Sequence, residues 1–197
     1  MSSNQDKLNE LKKEQLYNKM KNKLATMISD SDFNKYFIDA PQKLLKYSEL
    51  ENINDIDQLL PDERDYRIIL TESQKNSGHW CVLTRKDNIY TWFDSYGEKP
   101  DGELKFIPNI MNKMLGQDKK HLSRILKTIK EPNQIFYNET KYQKLKDGIN
   151  TCGRWCICFL LLSHMGYDLK EFKNFIKQSS KKHDNMPYDV LICYFFN

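Results

Sequence analysis

A cysteine, a histidine and an aspartate can together make a thiolate nucleophile, and Cys152, His79 and Asp94 offer that set in this chain. A thiol attacks carbon only when something beside it makes and keeps it a thiolate. The stretch "GINTCGRWCICFLLL" puts Cys152 after the turn-forming Asp147-Gly148, at the opening of an apolar helix. Exposed backbone N–H groups and the helix dipole favour a thiolate there, and Asn150 or Thr151 is placed to cap. Cys156 and Cys158 fall one and nearly two turns further in, on a segment apolar almost all round, and read as core residues. Cys81, inside a strand, and Cys193, inside the last helix, also read as structural.

His79 and Asp94 bracket a hairpin. If its two-residue turn is Lys86-Asp87, His79 lies directly opposite Asp94; if it is Asp87-Asn88, the two are diagonal on one face. Either register leaves them roughly 5 to 8 Å apart at Cβ, within imidazole–carboxylate reach. A three-residue loop would put them on opposite faces unless a bulge intervened. A carboxylate on one ring nitrogen fixes the tautomer and stabilises the imidazolium, which is what a base for a thiol needs. Trp80 points to the other strand face and reads as packing.

The elements that must hold these groups follow from pattern. "DYRIILTES", "HWCVLTR", "IYTWFDSY" and "NQIFYNE" read as strands. Leu8, Leu11, Leu16, Met20, Leu24 and Met27 suit an amphipathic helix over 5–28, and Asp30 or Ser31 caps a short helix that Pro41 interrupts. "PDGELKFIPNIMNKML" and "HLSRILKTIK" have helical spacing, and three helices close the chain at 152–165, 169–179 and 187–196. Residues 1–60 read as a helical lead-in and 61–197 as the main domain. Strands first and helices mostly after make an α+β protein with one small sheet flanked by helices.

Composition sets the bounds. The 197 residues, 39% of them hydrophobic, suffice for one globular domain. No apolar run approaches the roughly 18 residues of a membrane span, and the polar start lacks a signal-peptide core. Five cysteines, an odd number crowded on one segment, do not resemble a disulfide framework, so a reducing intracellular compartment is expected. The net charge of +4, from 31 basic and 27 acidic residues, reads as a solvated surface, with weak nucleic-acid association left open. A zinc site through Cys152 and Cys156 lacks a second ligand pair of suitable spacing.

"GHW", then "FDSYG", then "NTCGRWC" before an apolar helix resembles the adenovirus-type endopeptidases and their relatives the SUMO-specific proteases. The likeness is strongest to the capsid maturation proteases of virophages, Maverick/Polinton elements and large DNA viruses, and it spans residues 66 to about 166. It implies a papain-like cysteine protease variant with a small central mixed sheet and the catalytic order His79, Asp94, Cys152. It also implies an oxyanion glutamine, six or seven places before the cysteine in better-known members. Lys146 and Leu145 stand there, so Gln143, nine before, takes the role, with Gln134 in reserve. The implied activity is cleavage of capsid or other virion precursor proteins by a monomer, in the host cytoplasm at the assembly site and in the virion. It needs neither cofactor nor metal. A SUMO or ubiquitin isopeptidase and a non-catalytic capsid-assembly partner are the rival readings.

Overall fold

The computed structural model describes residues 4–131 and 134–196. Asn133, the first residue of the expected strand "NQIFYNE", lies outside them. Asn4–Lys19 forms α1 and Lys21–Ala25 forms α2, so the single helix expected over 5–28 is broken at Met20. Leu8 and Leu11, expected on a buried stripe, are exposed, whereas Leu24 is buried. Helical spacing makes a face; only a neighbour buries it.

Ser29, rather than Asp30 or Ser31, starts α3 (Asp30–Phe33): its N–H donates to the Asp32 carboxylate at 2.9 Å. In α4 (Ala40–Lys43), Pro41 sits in the first turn, where its missing N–H costs nothing. Leu44–Lys46 then forms β1, a strand inside the stretch expected to be helical. Three residues show no period of their own, and β1 exists because it pairs in parallel with β2 from Leu44↔Ile68 to Lys46↔Leu70. A 3₁₀ turn at Tyr47–Asn52 leads to α5 (Ile56–Leu59), capped by the Asp55 carboxylate on the Gln58 N–H at 2.8 Å.

The expected strands follow as β2 (Arg64–Gln74), β3 (Ser77–Lys86) and β4 (Ile89–Phe93). The helix expected over 100–115 is divided before Pro108 into a 3₁₀ turn, Gly102–Phe106, and α6 (Asn109–Met114). Next come α7 (His121–Leu126) and β5 (Ile135–Tyr137). The sheet runs β1-β2-β3-β4-β5, antiparallel at its two inner pairings and parallel at its two outer ones. The chain closes with α8 (Cys152–His164), α9 (Leu169–Lys182) and α10 (Tyr188–Phe195), each where the spacing predicts it. This is an α+β protein with a five-stranded mixed sheet and flanking helices.

Two compact units carry these elements. One is Ser29–Lys141, with the whole sheet; the other joins the chain up to Ile28 with the chain from Tyr142 onward. In the sheet unit, alternation along β3 sends Cys81 and Leu83 into a core with Ile69, Trp92, Leu50, Leu122 and Ile125. Trp80 faces the other way and meets Phe33 edge-on at 5.2 Å, the packing role expected of it. In the second unit, Tyr142 packs on Trp155 and Phe172 at 5.0 and 5.3 Å, and α8 is buried on nearly every side, as its continuous apolar sequence requires. No helix among the described residues is long and apolar enough to cross a membrane.

Gly78, one residue before His79, shows why the hairpin starts as it does. A Cβ at this position would overlap the carbonyl oxygen of Thr71 on β2. Gly78→Ala should therefore force β2 and β3 apart and destabilise the protein by about 1 to 3 kcal/mol, the range of overpacked sites. Urea unfolding of the variant against the parent measures it.

Candidate active site

The hairpin turn selects the second of the two registers weighed above. Asp87 and Asn88 both have positive φ, 49° and 61°, as a two-residue turn of the primed type requires, and Asn and Asp tolerate this better than most residues. Lys86 pairs with Ile89, and the ladder runs on to Val82↔Phe93. One further step sets Asp94 across from Cys81, so His79 is its diagonal neighbour on the same face. His79 Nε2 lies 2.7 Å from Asp94 Oδ1.

Asp94 is fully buried and held from several sides. Its Oδ1 also accepts the Tyr96 N–H at 2.8 Å, and its Oδ2 accepts the Glu98 N–H at 3.1 Å. Its backbone carbonyl accepts from Gly97 N–H at 2.9 Å and from the Asn138 side-chain amide at 2.6 Å. The Tyr96 ring stacks on the imidazole at 4.3 Å and 14°, and Phe106 meets Tyr96 edge-on. One ring edge of His79 is thus fixed by the carboxylate and one ring face by an aromatic. Its side chain remains 12% exposed.

Behind the pair lies a second buried acid that carries no sequence signal. Glu103, on the 3₁₀ turn, accepts the Cys81 thiol at 3.0 Å. Burial, and then the negative charge of Asp94, push its carboxyl up to about 8, against the opposing pull of His79 and the thiol. Glu103 is therefore protonated at neutral pH. Candidate ligand atoms of His79, Cys81 and Asp94 lie within 4.8 Å of one another. They are hydrogen-bonded as they stand: His79 joins Asp94 directly, and Cys81 donates to Glu103.

Cys152 and Gln143 belong to the other unit. Cys152 is the first residue of α8 and is 8% exposed. Neither expected cap operates. The Asn150 amide donates to Ala25 O at 2.9 Å, and the Thr151 hydroxyl donates to Asp189 Oδ1 at 2.8 Å. The reason is tertiary: both side chains find partners on segments distant in sequence. The first-turn N–H groups, which have no acceptor within the helix, stay around Cys152. A Cβ on Gly153 would come within 2.5 Å of Ile28 Cβ, so a glycine after the cysteine lets this segment approach. Arg154 adds bonds to Thr26 O at 2.8 Å and Phe196 O at 3.1 Å.

Gln143 is buried, and its amide donates to Ile149 O at 3.0 Å, across the loop that leads to Cys152. Gln134, the reserve, belongs to the sheet unit. Leu145, at one of the two positions where the resemblance would put a glutamine, is largely exposed. Cys156 and Cys158 are buried in α8, and burial pushes the Cys158 thiol up to about 12; Cys193 is also shifted upward by burial. Tyr96, Glu103, Asn138 and Asp189 were not singled out from sequence. Only Tyr96, inside "FDSYG", had a motif that could have drawn notice.

The molecule is thus an α+β protein with a partly exposed His79 bonded to a buried Asp94 on one sheet face and a cysteine at a helix start. No family model and no solved structure matches it. A protein of Sputnik virophage described as "Uncharacterized protein V9" is 39% identical over 155 residues, 78% of this chain and 86% of that protein. The chain belongs to the family of this virophage protein.

Glu103 makes a pH prediction with a definite sign. Its folded carboxyl binds a proton up to about 8, while an exposed glutamate loses its proton near the ordinary 4.5. Between these values the folded state holds more protons, so its stability falls as pH rises, by on the order of 1 kcal/mol per pH unit at most. Glu103→Gln removes this dependence. The variant should gain on the parent between pH 5 and pH 8 in denaturant midpoints measured across that range.

Proposed function

We propose that this chain is a cysteine endopeptidase that cleaves capsid or other virion precursor proteins during particle maturation. The observation that carries the reading is the 2.7 Å bond from His79 Nε2 to a fully buried Asp94. The chain order His79, Asp94, Cys152 is the one implied by the resemblance carried by "GHW", "FDSYG" and "NTCGRWC". Membership of a virophage protein family supports the viral setting, and with it action at the assembly site in the host cell and in the virion.

The chemistry assigns each group a part. With Nε2 engaged by Asp94, Nδ1 of His79 is the nitrogen that takes the Cys152 proton and later delivers it to the leaving amine. Asp94 holds the ring and stabilises its charged form. The Cys152 sulfur attacks the scissile carbonyl carbon, forming a tetrahedral oxyanion that collapses to a thioester as the amine departs. Water then releases the new carboxyl end and restores the thiol. The oxyanion is held by the Cys152 backbone N–H and by Gln143. The Gln143 amide also donates to Ile149 O, which holds this side chain across the loop that leads to Cys152.

The test is co-expression with the capsid protein proposed as the substrate, with a SUMO conjugate as the contrasting substrate. Cys152→Ala and His79→Ala should abolish trimming, and Asp94→Asn should slow it less severely. Gln143→Ala should cut turnover by about 10²- to 10³-fold, as loss of one oxyanion donor does. It should leave Cys152 open to iodoacetamide, since alkylation develops no oxyanion. Cys152 should also be alkylated below the pH of an ordinary thiol, and His79→Ala should abolish that advantage. Trimming by Cys152→Ala, or a Cys152 reactivity indifferent to His79, would overturn the assignment.

A further inference from the structure

Asp189 is an acid with no part in the chemistry above, yet it is 1% exposed, on the first turn of α10. Burying a carboxyl is costly unless donors meet it. Two do. The Thr151 hydroxyl donates to Oδ1 at 2.8 Å, and the Lys144 backbone N–H donates to Oδ2 at 3.1 Å. Thr151 immediately precedes Cys152, and Lys144 immediately follows Gln143. One carboxyl group therefore grips the loop at both ends, each time next to a residue assigned a part in the reaction. Between these points the Gln143 amide bonds Ile149 O, closing the loop on itself.

We propose that Asp189 is a positioning residue, resting on the protease reading: it fixes the span from Gln143 to Cys152 so that the oxyanion donor and the nucleophile keep one geometry. The residue type suits the task. Two donors arrive from two directions, and a carboxylate offers one oxygen to each, which no hydroxyl or single carbonyl can do. Burial raises the Asp189 carboxyl only to about 6, because the bonds from Thr151 and Lys144 oppose the shift, so it is ionised at neutral pH. The Thr151 hydroxyl is engaged by Asp189 instead of capping α8, so the residue before Cys152 is tied to the clamp.

Three variants test this. In Asp189→Asn the amide oxygen can still accept from Lys144 N–H, while its NH₂ donates to a rotated Thr151 hydroxyl, so both links are retained. Asp189→Ala removes both, and Thr151→Val removes one. The readouts are kcat and KM on the capsid-derived peptide that the parent cleaves, and hydrogen exchange at the amides of residues 144–151. Asp189→Ala should lower kcat by about 10²-fold, the cost of misplacing reacting groups by roughly 1 Å, with KM little changed and exchange faster in the loop. Asp189→Asn should restore both readouts, and Thr151→Val should fall between. If Asp189→Ala does not fold, Asp189→Asn and Thr151→Val carry the comparison.

Parent-like kcat in Asp189→Ala, or loop exchange that neither Asp189→Ala nor Thr151→Val alters, overturns the proposal. A parent that cleaves nothing sinks the protease reading instead; the exchange data then still decide whether the clamp exists.

Discussion

His79 and Asp94 share a face of the sheet because the turn between their strands contains two residues. Side chains alternate along a strand, so one more residue in that turn would send Asp94 to the opposite face and leave a buried carboxylate without its partner. The turn is possible because Asp87 and Asn88 accept the left-handed backbone that a right-twisted hairpin demands. Other features are tuned to the same register. Gly78 lets β2 press against the start of β3, Tyr96 covers the imidazole, and Asn138 reaches the Asp94 backbone. Remove the register and none of these contacts has a purpose.

Two further buried acids, Glu103 and Asp189, are held in opposite ways. Glu103 sits beside a charge of its own sign and meets one thiol, so its proton stays on near neutral pH. Asp189 meets two good donors and ionises more readily. The difference follows from what each touches: donors favour the charged form, and a neighbouring carboxylate opposes it. It also separates two tasks. Glu103 stays neutral beside the His79–Asp94 pair, while a charged Asp189 is an acceptor for two donors at once.

The five cysteines divide on the same physical grounds. Cys158 and Cys193 lie where desolvation keeps a thiol neutral, Cys156 is buried in α8, and Cys81 is committed to Glu103. Cys152 begins a helix, next to N–H groups that have no acceptor within it. In a virophage protein family this gives the chain one cysteine suited to nucleophilic chemistry among several that serve packing, consistent with the maturation protease proposed here.

The sequence by itself determined the elements with strong local signals. The long strands around the hairpin, the three C-terminal helices and the α+β class all come from periodicity and turn residues acting within a few positions of one another. It also favoured one face for His79 and Asp94, since any two-residue turn keeps them there, but the turn length itself was fixed only in the fold. Other features belong to the tertiary structure. β1 has three residues and no period, and it is a strand because β2 lies beside it. Leu8 and Leu11 have helical spacing but no neighbour that covers them. Asn150 and Thr151 are good caps by type, but Ala25 and Asp189, more than thirty residues away in sequence, bind them instead. The proton on Glu103 depends on Asp94 and on burial that no local pattern records. Local sequence sets backbone preference and period, whereas burial, charge environment and competing partners are properties of segments that meet only in the folded chain.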